Sequence, residues 1–119
     1  MKTNFSDAFD LLDYARKSGR LSLLLSQLQK DYERANIPFP LKQEQTSDGE
    51  IGEVLQSLRE SLYILLMEHF DQYLNLMYAA DVPEREFRAV QVTDVVEVAS
   101  QVTFILLSRE WKKIEFRNR

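Results

Sequence analysis

The chain has 119 residues, 45% hydrophobic and 29% charged, with no cysteine and a formal net charge of −4. Length and composition specify one ordinary globular domain, and the lack of cysteine excludes a disulfide framework or a thiolate metal site and fits a reducing cytoplasm. The longest apolar run, Leu62 to Met67, falls short of the roughly 20 residues a bilayer span takes, and MKTNFSDAFDLLDYA has no signal-peptide pattern, so a cytoplasmic protein without a membrane span is expected.

Charge is unevenly spread along the chain. Residues 44–97 carry twelve acids against three bases, −9. Residues 1–43 sum to +2 and residues 98–119 to +3. An acidic middle repels polyanions, which leaves nucleic acid an unfavoured partner.

In chain order, a first helix is expected over residues 5–17, capped by Asn4 and released at Ser18-Gly19. A second, RLSLLLSQLQKDYERAN, places Leu21, Leu24, Leu25, Leu28, Tyr32 and Ala35 on one stripe, the spacing of a buried face. Pro38 and Pro40 stop it, and a polar loop follows over about 37–48. Ser47 and Glu50 have capping-box spacing for a third helix, which nothing between Gly52 and Pro83 interrupts. It is expected to run to about Ala80 as a rod of roughly 45 Å. A short fourth helix, PEREFRAV, follows a cap at Asp81. Residues 92–107 are rich in β-branched side chains, but Val95, Val98, Ala99, Val102 and Leu106 form a helical stripe and a lone strand would lack a partner. They are assigned to a fifth helix, Thr93 to Arg117, capped by Thr93. The fold class is all-α: a small antiparallel bundle of four to five helices around one long central helix.

His69 is the chain's one histidine and sits in MEHFDQYLNLMY between Glu68 and Asp71. At helical spacing those acids point about 100° and 160° away from it, and Leu58, Leu62, Leu65 and Leu76 share its direction. The expectation is a core histidine with one hydrogen bond. From Tyr63 onward a second apolar face appears, through Tyr63, Met67, Phe70, Leu74 and Met77. Such a helix is either central or part of an interface. On the last helix Trp111 lies near Phe104 and Leu107, off the valine stripe, and is the candidate anchor for a partner. The candidate interface is thus Tyr63, Met67, Phe70, Leu74, Phe104, Leu107 and Trp111.

Catalytic patterns are sparse. With glycine only at 19, 49 and 52 there is no phosphate-cradling loop, and the serine-elbow and zinc-protease motifs are missing. No catalytic residue and no cofactor are expected. Glu50-Ile-Gly-Glu53 and Glu68-His-Phe-Asp71 resemble the acidic signature of MazG-type all-α nucleotide pyrophosphatases, in which such carboxylates hold Mg²⁺ against a triphosphate. One unbroken rod would separate Glu53 and Glu68 by roughly 22 Å, so this metal set needs a chain break or a second chain. The basic end, with Arg109, Lys112, Lys113, Arg117 and Arg119 around Trp111 and Phe116, supplies the chemistry for RNA or an anionic surface. The same cations equally suit a helix C-terminus.

The second half carries a further resemblance. Tyr73-Leu74-Asn75-Leu76, Asp81-Val82-Pro83-Glu84 and Arg109-Glu110-Trp111-x-Lys113 are similar to a group of small helical proteins of Bacteroidetes-type bacteria to which no activity is attached. The resemblance implies a bacterial, cytoplasmic, helical protein and no site. The leading reading is a non-enzymatic interaction or self-association module, a homodimer or the receiver of a helical partner. A metal-dependent phosphohydrolase-like bundle comes second, and a binder of RNA or anionic surfaces third.

Overall fold

The structure, a computed structural model, describes residues 2–48, 50–88 and 94–117. Among these it is all-helical: α1 (Ala8–Lys17), α2 (Leu21–Arg34), α3 (Gln43–Asp48), α4 (Ile51–Glu68), α5 (Phe70–Ala79), α6 (Glu84–Arg88) and α7 (Val95–Arg117). No described helix is long and apolar enough to cross a membrane. The seven exceed the expected four to five because the central rod is two helices and the polar loop holds one.

Helix α1 starts later than expected. Asp7, not Asn4, caps it, accepting the Asp10 N–H at 2.8 Å. Phe5 lies outside the helix and packs edge-on against Trp111, with ring centroids 5.8 Å apart.

Three helix ends share one closure. Gly19, Asn36 and Asp81 have φ of 74°, 59° and 60°. In each case the next residue's N–H reaches back to the helix: Arg20 to the Ala15 carbonyl, Ile37 to Tyr32 and Val82 to Met77. These are Schellman closures, in which a left-handed residue lets the last carbonyls find donors. Ile37 and Val82 are then buried, which adds the apolar contact that goes with the motif. Asp81 therefore ends α5, a role the sequence reading had given to the start of the next helix.

The polar segment after Pro40 turns helical at Gln43. The Gln45 Oε1 accepts the Lys42 N–H at 2.9 Å, the reach-back half of a capping box. The expected Ser47–Glu50 cap falls on a Ser47 side chain outside the described residues, and Glu50 precedes α4 without a side-chain cap bond.

The long central helix breaks at His69, where φ is −140° and ψ 60°. Neither Gly nor Pro causes this. The ladder persists on both sides, since His69 N–H donates to Leu65 and its carbonyl accepts from Tyr73 at 3.1 Å. One residue outside helical geometry separates α4 from α5, and α5 beyond it buries Tyr73, Leu76 and Met77. His69 itself is exposed. The core histidine is corrected to a surface hinge residue, because the break removes it from the stripe on which its burial rested.

The core gathers around α7, which touches α1, α2, α4 and α6. Its Val98, Val102, Leu106 and Leu107 are buried in one core with the leucine stripes of α2 and α4. The helical assignment holds from Val95 onward. The proposed cap at Thr93 lies outside the described residues.

Candidate docking trough and a buried ionic cluster

Where α4 and the first turns of α7 diverge, an open trough of about 460 Å³ forms. Its walls are Arg59, Glu60, Tyr63 and Ile64 from α4 and Val96 and Ala99 from α7. Tyr63, Ile64, Met67, Phe70 and Val96 keep 38%, 48%, 56%, 54% and 64% of their surface in contact with solvent. The first three share one face of α4, since Tyr63, Ile64 and Met67 fall within about 100° of one another at helical spacing. Exposing several large apolar side chains side by side costs roughly 25 cal/mol for each Å² left in water. Such patches mark surfaces that are covered in function.

The interface expected from the sequence divides here. Tyr63, Met67 and Phe70 are exposed, and Leu74 and Phe104 are half-buried. Leu107 and Trp111 are core residues instead: Leu107 is fully buried, and Trp111 sits between Phe5 and Tyr14 with its Nε1 donating to the Lys2 carbonyl at 2.9 Å. The N-terminal segment, not a partner, covers the indole. Ile64 and Val96 were missed. The usable signal was an isoleucine on the otherwise polar stripe of Glu68, Asp71 and Asn75, and a valine between Asp94 and Glu97.

The acids of the metal reading do not converge. Glu50, Glu53, Glu68 and Asp71 are all exposed. Helix α4 is continuous over Ile51–Glu68, so Glu53 and Glu68 stand roughly 22 Å apart on one rod. Among the described residues no three of His, Cys, Asp and Glu are grouped to hold a metal ion.

Two cations of the basic C-terminal segment, Lys113 and Arg117, have partners within the fold, whereas Lys112 is exposed and Arg109 Nε has no hydrogen-bond partner. Lys113 Nζ lies 2.8 Å from Asp31 Oδ2 and 2.9 Å from Glu110 Oε1. Arg117 donates to Gln27 at 2.6 Å, and Glu115 pairs with Arg20. Arg119 lies outside the described residues. Asp31 and Glu110 are both 0% exposed, and Arg34 approaches Asp31 Oδ1 at 3.6 Å. Two buried carboxyl groups share one ammonium. Burial pushes Glu110 up to about 8, the nearby Asp31 adds to the rise, and Lys113 opposes it. Asp31 Oδ1 and Glu110 Oε2 have no hydrogen-bond partner, and a proton retained on Glu110 supplies the missing donor.

Comparison with protein-family models, with curated proteins and with solved structures gives no significant match.

Proposed function

We propose that the chain is a non-enzymatic protein–protein interaction module that receives a partner helix in the trough between α4 and α7. The observation that carries this is an open trough lined by the exposed apolar side chains Tyr63, Ile64 and Val96, with exposed Met67 farther along the same face of α4. A groove between two helices is the shape into which an amphipathic helix lays its apolar face. Desolvating the aromatic and aliphatic side chains at its centre supplies the energy. The buried carboxyl pair lends itself to structure, since Asp31 and Glu110 are closed off from solvent and a general acid must reach its substrate.

The test places a photoreactive phenylalanine analogue at position 63 and irradiates cells of the protein's own source. A discrete adduct that forms from position 63 and not from exposed Gln29, and that is abolished by Ile64→Asp, is the expected result. No adduct at position 63 overturns the reading.

A further inference from the structure

We propose that the trough's occupant is the outer face of α2 from a second copy of the chain, so that copies associate head to tail. The inference rests on the trough being the docking surface.

The ridge is defined by Leu23, which is 51% exposed on α2. At helical spacing Leu23, Gln27, Lys30 and Arg34 fall within about 60° of one another. Arg117 joins them from α7 through its hydrogen bond to Gln27. A shallow depression of about 100 Å³, lined by Leu23, Lys30, Ile114 and Arg117 among others, marks where the two helices meet. One projecting leucine thus stands among three cations, Lys30, Arg34 and Arg117, all exposed.

The trough has the opposite character. Its charged lining residues are Glu60 and Arg59, and the exposed acids of the adjoining turns are Glu53, on the same face of α4 about 10 Å from Glu60, and Asp94 and Glu97, next to Val96 in the chain. Arg59 is the one base among the lining residues. A leucine with Lys30 and Arg117 around the same depression suits an apolar trough whose adjoining turns carry an excess of acid, and complementary potentials fix which surfaces meet.

Geometry selects the arrangement. The trough touches α7 at Val96 to Ser100 and the ridge touches it at Ile114 to Arg117, a separation of roughly 21–32 Å along the helix. One copy therefore cannot fill its own trough. A two-fold pairing of trough on trough would bring the acids of the adjoining turns toward their own copies with Arg59 as the one base of the lining, whereas ridge into trough sets Lys30 and Arg117 against them. Such a contact joins different patches and is heterologous, so it extends beyond two copies unless a ring closes.

The test is sedimentation of the full chain at up to roughly millimolar concentration, in about 50 mM and about 500 mM salt. Expected is a mass that rises with concentration past the dimer and falls with salt. Leu23→Glu on the ridge and Ile64→Lys in the trough each lower the association constant by at least about tenfold. Mixing the two variants restores one contact, the ridge of Ile64→Lys in the trough of Leu23→Glu, and gives a complex that stops at two chains. Lys30→Glu and Val96→Lys, also at exposed positions, repeat the pattern, and helical circular dichroism verifies that each variant folds. A wild type monomeric throughout, a Leu23→Glu variant that still associates, or a mixture that stays monomeric overturns the inference. A position-63 adduct to a different protein overturns it too but leaves the trough as a docking site. An adduct of two copies supports both.

Discussion

Replacing Glu110 with glutamine keeps the shape of the side chain, keeps a donor for Asp31 and removes the titration. In the wild type, burial raises this carboxyl from 4.5 to about 8. Folding then takes up a proton between those values, and the unfolded chain has already released it. The sign follows: the folded state's advantage is complete below 4.5, declines as pH rises, and is flat again beyond about 8. A displacement of that size corresponds to on the order of 5 kcal/mol at 1.36 kcal/mol per unit, and between pH 5 and pH 8 to on the order of 4. Because Asp31 and Lys113 share the charge, an observed change of about 2–4 kcal/mol is expected. Urea unfolding followed by the fluorescence of Trp111, the chain's one tryptophan, measures it. Glu110→Gln should equal the wild type near pH 5 and exceed it in stability at pH 8, with the difference opening steadily between. Two parallel curves would refute the reasoning, since they would mean that Glu110 carries no proton into the fold.

Other outcomes follow from single contacts. Tyr32→Phe removes the 2.8 Å hydrogen bond between Tyr32 and Ser61 that ties α2 to α4 and should cost about 1 kcal/mol in urea unfolding. Unchanged stability would show that water replaces the bond at no cost. Gly19→Ala, at φ 74°, should lower stability by about 1–2 kcal/mol, whereas Asn36→Gly in the same conformation should be neutral or stabilising; losses of equal size would contradict the left-handed closures. Millimolar Mg²⁺ or Mn²⁺ should leave the melting temperature unchanged, and a rise lost in Glu68→Gln would restore the metal reading.

What the sequence reveals is what one helix face can specify by itself. The stripe Leu21, Leu24, Leu25, Leu28, Tyr32 and Ala35 is buried throughout, because periodic apolar spacing permits one direction of burial. The valine stripe overrode its own β propensity for the same reason: Val98, Val102 and Leu106 had helices to meet and no strand. The break at His69 was not legible. It carries no Gly or Pro to announce it. That break misplaced His69, since angles were counted through it. Trp111 was misassigned because its cover, Phe5 and the Lys2 carbonyl, lies more than a hundred positions away. The Asp31–Lys113–Glu110 cluster joins α2 to α7 and is likewise invisible to local spacing. Ile64 and Val96 left local traces, apolar residues among acids.

The central place of α7 has a consequence for synthesis. The leucine stripes of α1, α2 and α4 each find part of their cover on a helix that leaves the ribosome after all of them. Until residues up to about Ile114 have emerged, α1, α2, α4 and α5 can meet one another but lack the part of their cover that α7 supplies. Completion of the core then waits on the arrival of one late segment. The incomplete chain is a natural client for chaperones that shield apolar surface, and a premature stop anywhere before α7 should yield a species for degradation in place of a smaller folded protein.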